Sequence, residues 1–267
     1  MSRETPELSV LAIPAFQDNY LWLLKRGTKA AVVDPGDAAP VIAALERLGL
    51  ELTAIVLTHH HRDHTGGVAQ LCQASARESL PVFGPAQESI PGVTIPLIEG
   101  DCAELAELDL RFQVMEVPGH TRGHIAYYAN LSPHPILFCG DTLFGCGCGR
   151  LFEGTPAQMQ HSLARLSALP GDTLAYCAHE YTVSNLRFAL AVDPHNRALI
   201  ERDREDRATR EQNRPTVPFR IDRERETNPF LRWDAPAIQA AAEAQVPGST
   251  SSPAATFGAI RAYKDRF

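Results

Sequence analysis

The sequence predicts an α+β protein, with a sheet-rich domain over residues 1–173 and a mainly helical domain over residues 174–267. Three observations carry this prediction. Short apolar segments recur through the first part and are mostly joined by turns, so the sheet content exceeds that of a plain alternating β/α chain. From about Val183 onward no strand pattern persists and helical spacing takes over. A chain of 267 residues with 44% hydrophobic and 21% charged content has the make-up of a globular protein that buries a substantial core.

Leu8 to Ile13 and Tyr20 to Leu24 are strands separated by the turn Gln17-Asp18-Asn19, and Ala30 to Val33 is a third strand closed by Asp34-Pro35-Gly36. Val41, Ile42, Leu45 and Leu48 fall at helical spacing, and Gly49 can end that helix. The apolar run Leu52 to Leu57 empties into Thr58-His59-His60-His61-Arg62-Asp63-His64-Thr65-Gly66-Gly67, after which Thr65 is placed to cap a helix through Val68, Leu71 and Cys72. Further strands follow at Pro81 to Phe83, Thr94 to Leu97, Leu110 to Val117, Ile125 to Tyr128, Ile136 to Cys139 and Leu174 to Cys177, with a helix from Thr155-Pro156 between the last two. Leu186 to Val192, Ala198 to Gln212, Ala235 to Ala244 and Thr256 to Arg266 read as helices. Pro215 to Pro218 reads as a turn and Pro247 to Pro253 as a flexible connection. The charged run Glu201 to Arg207 reads as a solvated helix face.

A net charge of -7 argues against a general nucleic-acid binder. No apolar run reaches the roughly 18 residues that span a bilayer, and Met1 to Leu8 lacks the basic and apolar regions of a secretory signal. The expectation is a cytoplasmic protein, a monomer, with no nucleic-acid or membrane partner. The six cysteines are then expected to be reduced, and Cys146-x-Cys148, set among Gly145, Gly147 and Gly149, reads as a flexible loop because no second cysteine pair completes a metal site.

The chemistry concentrates in His59-x-His61-x-Asp63-His64. Four donors within six residues are costly to hold together without a cation, and imidazole with carboxylate is the donor set of open catalytic metal sites. Other apolar strands each deliver one more ligand-type residue: His120, Asp141 and His179. Singly, these would read as a surface histidine or a Gly-Asp turn. Seven candidate ligands exceed what one tetrahedral ion uses, so two neighbouring divalent ions are the natural reading, most simply zinc, with iron or manganese also suited to the donors. His60, His124, His134, His161 and His195 fall outside this set: His60 alternates away from its neighbours, and His124 suits packing or support of His120.

These residues resemble the metallo-β-lactamase superfamily, whose signature Thr-His-x-His-x-Asp-His is seen at Thr58 to His64, followed by His120 in Pro-Gly-His-Thr, Asp141 in Gly-Asp-Thr and His179 in His-Glu-Tyr-Thr. The resemblance implies an αββα sandwich with metals at its edge. Within the superfamily the chain is similar to the hydroxyacylglutathione hydrolase (glyoxalase II) family, through Gly147-Cys148-Gly149-Arg150-Leu151-Phe152-Glu153-Gly154-Thr155, His179-Glu180-Tyr181-Thr182, and a helical tail with Asn228-Pro229-Phe230 and Arg261-x-x-Lys264. The family pattern implies that His59, His61 and His120 hold one ion, that Asp63, His64 and His179 hold the other, and that Asp141 bridges them. It places glutathione contacts on Arg150, Phe152, Tyr181, Arg261 and Lys264. Where that pattern has Lys and Tyr, Arg150 keeps the charge and Phe152 lacks the hydroxyl.

The activity so implied is hydrolysis of S-(2-hydroxyacyl)glutathione, typically S-D-lactoylglutathione, in the second step of methylglyoxal detoxification. Hydroxide generated at the ions would attack the thioester carbonyl, with Asp63 and Asp141 orienting it, and no protein nucleophile is required. The main rival is a persulfide dioxygenase of the same superfamily, against which the helical tail speaks. A nuclease is disfavoured by the acidic balance, and a closed structural metal site by the number of ligands.

Overall fold

The computed structural model describes residues 7–267. The reading of the extreme N-terminus rests largely on Met1 to Pro6 and lies outside the described residues. The chain divides into two compact units, Met1–Glu116 with Ile125–Ala129, and Val117–His124 with Asn130–Phe267.

In the first unit, β1 (Ser9–Ala15), β2 (Asn19–Arg26) and β3 (Lys29–Val33) form an antiparallel run. Helix α1 (Ala38–Leu48) then carries the chain over to β4 (Glu51–Val56), which lies parallel to β3. Asp37 starts α1 by accepting from the Ala39 amide at 3.0 Å, and Gly49 ends it in the left-handed region, a conformation glycine adopts without a Cβ penalty. After the short helices α2 (Arg62–Thr65) and α3 (Val68–Ala74), β5 (Val82–Pro85) and β6 (Ile95–Leu97) complete a sheet of order β1-β2-β3-β4-β5-β6. Strands β7 (Cys102–Leu105), β8 (Leu110–Glu116) and β9 (Ile125–Ala129) form a second, antiparallel run. Leu21, Leu23, Val32 and Ile55 of the sheet pack with Val41 of α1 and Val68 and Leu71 of α3. Each such side chain contributes about 1.5–3 kcal/mol on burial. Tyr127 of β9 donates to the Leu57 carbonyl at 2.8 Å, which ties the second run to the exit of β4.

The second unit contains β10 (Ile136–Gly140), the small hairpin of β11 (Leu143–Phe144) and β12 (Gly147–Cys148), α4 (Pro156–Ser167) and β13 (Leu174–Cys177), with β13 parallel to β10. A capping box of Thr155 and Gln158, with Pro156 at the first helical position, sets the start of α4. Helices α5 (Thr182–Val192) and α6 (Arg197–Glu211), the edge strand β14 (Phe219–Arg220), and helices α7 (Ile221–Thr227), α8 (Pro236–Gln245) and α9 (Pro253–Lys264) follow. Among the described residues no helix is long and apolar enough to cross a membrane, and all six cysteines are free.

The α+β class and the helical C-terminal region agree with expectation, and the differences are local. Thr65 does not cap α3: it closes α2, returning its hydroxyl to the His61 carbonyl at 3.1 Å, and Gly67 precedes α3 instead. Several short elements escape the sequence patterns, β7, β14 and α7 among them. In β7 the alternation lasts four residues, and β14 has only two. In α7 the inward face is Ile221, Glu224 and Thr227, so it is buried yet mostly polar. Pro247 to Pro253 holds a short 3-10 turn, Ser249–Ser251.

The charged run of α6 is not wholly solvated either. Arg202 is 1% exposed, forms ion pairs with Asp206 and with the fully buried Glu224, and donates to the Thr227 hydroxyl at 2.7 Å. Removing one member of such a set strands the opposite charge in the core. Arg202→Ala should therefore lower stability by about 3–5 kcal/mol, read as a fall in the urea midpoint at unchanged slope.

Candidate metal centre

Strand β4 delivers its chain into Leu57 and Thr58, and the direction of the next residues is set by Asp34. This aspartate ends β3 at φ +50°, a left-handed conformation that short polar side chains tolerate better than most. Its carboxylate accepts from the Thr58 amide at 2.8 Å, the Thr58 hydroxyl at 2.7 Å and His64 Nδ1 at 3.0 Å. A proton held on His64 Nδ1 leaves Nε2 as the ligand atom. Because the Thr58 proton goes to Asp34, the Thr58 oxygen accepts from His59 Nδ1 at 3.1 Å, and His59 likewise offers Nε2. One carboxylate thereby fixes the tautomers of two histidines.

His59 Nε2 lies 3.0 Å from His61 Nδ1, so two lone-pair nitrogens face one point. That separation suits two nitrogens sharing an ion at bonds of about 2.0–2.1 Å. Asp63 Oδ2 is 3.6 Å from His64 Nε2 and accepts from Asn19 Nδ2 at 3.1 Å, with Asn19 itself buried at the start of β2. A Cβ on Gly36 would stand 1.7 Å from the Asp63 carbonyl oxygen, so the ligand loop sits directly on the Asp34–Gly36 turn. His60 turns aside to Glu88, Nδ1 to Oε2 at 3.0 Å.

In the second unit the parallel pair β10 and β13 end side by side and present Asp141 and His179. Asp141 Oδ2 lies 3.4 Å from His179 Nε2 and 3.4 Å from His120 Nε2, with all three residues buried. His120 Nδ1 donates to the Arg150 carbonyl at 2.9 Å, again leaving Nε2 for a ligand, and the Asp141 amide donates to His124 Nε2 at 3.1 Å. His124 thus supports Asp141 from behind. One carboxylate oxygen between two directed Nε2 atoms is the arrangement of a bridging ligand, and the neutral imidazoles and ionised carboxylates of both groups fit divalent cations.

The five residues assigned to substrate all fall in the second unit. Phe152, 63% exposed, sets its ring edge-on to His120 at 5.2 Å, and Tyr181 stacks on His179 at 4.7 Å. Arg150 and Arg261 both approach Asp265 Oδ1, at 3.8 and 2.9 Å. Arg261 is buried, lies over the Phe230 ring and donates to the Cys148 carbonyl at 3.0 Å. Lys264 Nζ lies 5.8 Å from the centroid of the Phe188 ring and 5.9 Å from that of Phe230, and donates to Asn185 Oδ1. Burial, aided by the nearby Arg261 charge, lowers its pKa to about 8.

The sequence reading missed Asn19, Asp34 and Asn185. The first two were read as turn residues, and Asn185 sits in a helix with no motif around it. The Gly145–Gly149 loop is also not flexible: Cys146 and Cys148 are buried, and burial pushes the Cys146 thiol up to about 12.

Residues 16–179 match the model of the metallo-β-lactamase superfamily, and residues 180–267 match that of the hydroxyacylglutathione hydrolase C-terminus. A hydroxyacylglutathione hydrolase of Cupriavidus taiwanensis is 57% identical, covering 97% of this chain and 99% of its own. One from Pseudomonas aeruginosa is 51% identical, covering 97% and 100%. Among solved structures, ETHE1 from Myxococcus xanthus superposes with a TM-score of 0.63 at 22% identity, covering 96% of this chain and 90% of that one. TTHA1623 in a di-iron-bound form gives a TM-score of 0.51 at 32% identity, covering 64% and 91%. The fold is that of the metallo-β-lactamases, as the signature implied.

If Asp34 fixes His64 and, through Thr58, His59, then Asp34→Ala should lose most of the bound metal while keeping a cooperative thermal transition. Metal analysis of the purified variant beside the native protein checks this.

Proposed function

The chain belongs to the hydroxyacylglutathione hydrolase family of the metallo-β-lactamase superfamily, and we propose that it hydrolyses S-(2-hydroxyacyl)glutathione, typically S-D-lactoylglutathione, to glutathione and the 2-hydroxy acid. With D-lactate as product this is the second step of methylglyoxal detoxification. The observation that carries the reading at the level of atoms is Asp141 Oδ2, 3.4 Å from the Nε2 atoms of both His120 and His179.

We assign His59, His61 and His120 to one ion, Asp63, His64 and His179 to the other, and Asp141 to both. Zinc is the proposed metal. Iron and manganese suit the same donors, and the di-iron form of TTHA1623 gives iron a precedent in this fold. Two such ions, when bound, supply a hydroxide at neutral pH and polarise the thioester carbonyl.

The protein's own part is to bind and orient. Asp63 and Asp141 would ligate the ions and, with their carboxylates, orient the nucleophile that the ions supply. Arg150, Arg261 and Lys264 give the anionic glutathione a cationic seat, and Phe152 and Tyr181 supply ring faces beside His120 and His179. With Phe152 lacking a hydroxyl, binding leans on the cations. Asn185 is a neutral acceptor, so the Lys264 charge remains available to a substrate anion. The same proposal divides the chain into a metal-binding domain, 1–173, and a helical domain, 174–267, that contributes to the substrate site, and it describes a cytoplasmic monomer without nucleic-acid or membrane partners.

Purified protein should release thiol from S-D-lactoylglutathione and should not consume oxygen with glutathione persulfide. Oxygen uptake without thioester cleavage would replace this reading by the dioxygenase one. Asp141→Ala should abolish cleavage and lower metal content, and retention of both would overturn the bridging role.

Lys264 also predicts a pH dependence. Below about 8 it is protonated and attracts the glutathione carboxylates, and as pH rises through that value the charge is lost. The inhibition constant of glutathione should accordingly rise between pH 7 and 9.5, and in Lys264→Met that rise should flatten.

A further inference from the structure

Four consecutive residues of the glycine-rich loop are gripped by side chains from three different helices. Asn185 of α5 donates to the Gly145 carbonyl at 2.9 Å, and Glu224 of α7 accepts from the Cys146 amide at 2.9 Å. Asn228, which caps α7, donates to the Gly147 carbonyl at 2.9 Å, and Arg261 of α9 donates to the Cys148 carbonyl at 3.0 Å. The holders are themselves connected, since Asn228 donates to Glu224 at 2.8 Å and Lys264 donates to Asn185. A Cβ on Gly147 would lie 2.3 Å from Asn185 Nδ2, so the glycine allows the close approach. Cys146 is held at φ +55°, a conformation that costs a cysteine energy and persists because its surroundings fix it.

On the far side, the same loop ends against the metal ligands. The Gly149 amide donates to the Thr142 carbonyl at 3.2 Å, and a Cβ there would stand 2.0 Å from the Asp141 carbonyl oxygen. Arg150 supplies the carbonyl that orients His120, and the Phe152 ring stands beside the same imidazole. The loop thus spans from the helices to the first residues that would meet glutathione.

We infer that Glu224 and Asn228, both fully buried, are positioning residues that set substrate affinity by fixing the backbone of Gly145–Cys148, and with it Arg150 and Phe152. The inference rests on the glutathione thioester reading above. A buried side chain that only supported folding would change how much protein is active, and not how tightly active protein binds. A residue that shapes the loop acts on KM and on glutathione affinity, with kcat and metal content largely kept.

The test is a series of Glu224→Gln, Glu224→Ala and Asn228→Ala, each measured for kcat and KM with S-D-lactoylglutathione, for competitive inhibition by glutathione, for metal content and for thermal melting. Asn228→Ala should raise KM and the glutathione inhibition constant together by roughly tenfold, with kcat within about twofold of native. Glu224→Gln, which keeps an acceptor for the Cys146 amide, should retain more affinity than Glu224→Ala. Unchanged KM and inhibition constant, with activity falling only in proportion to folded protein, would overturn the inference. If the Glu224 variants do not fold, Asn228→Ala decides alone, because Arg202 keeps its Glu224 partner there. Native protein that fails to cleave the thioester would instead remove the functional reading, so the two failures are distinct.

Discussion

Everything in the histidine-rich loop of the first unit depends on one buried carboxylate. Asp34 accepts three hydrogen bonds in a place water does not reach, from a backbone amide, a hydroxyl and an imidazole. Each bond removes one freedom: where the chain leaves β4, which way Thr58 turns, and which nitrogen of His64 carries the proton. The histidine-rich stretch would otherwise be a polar loop with several tautomers and rotamers available. The left-handed backbone at Asp34 and the Cβ-free Gly36 are the local cost of bringing that carboxylate under the loop.

The His120, Asp141 and His179 cluster of the second unit is organised differently. There the sheet does the placing, because β10 and β13 run parallel and end together, and a single carboxylate oxygen falls between two imidazoles. Support comes from backbone and side chain alike, through the Arg150 carbonyl for His120 and through His124 for Asp141. In both clusters a histidine donates one ring proton to oxygen, the arrangement that fixes ring orientation and would raise the basicity of its other nitrogen toward a metal.

The candidate ligands were legible because a metal site needs particular donor types, and His59-x-His61-x-Asp63-His64 compresses four of them into six positions. His120, Asp141 and His179 were legible as the residues that follow apolar runs. The larger strands and helices showed the same way, through periodicity. What escaped was set by tertiary partners. Asp34 and Asn19 have the look of ordinary turn residues, and only the fold brings them to Thr58, His64 and Asp63. Helix α7 hides Glu224, a residue that a pattern of apolar positions assigns to solvent. Arg202 misled for the same reason, since its burial is explained by Glu224 and Asp206 and by nothing in the run of charges around it.

Asp265 is a small feature with a bearing on recognition. Its one carboxylate oxygen faces both Arg150 and Arg261, so neither guanidinium waits as a bare charge. On the proposed reading, an incoming carboxylate would not simply fall into an electrostatic well: it would trade places with a resident counter-ion, and the gain would be the difference between two ion pairs. Selectivity among anions would then come from shape and from the number of simultaneous contacts, which would favour an extended tripeptide over a simple monoanion such as chloride or acetate.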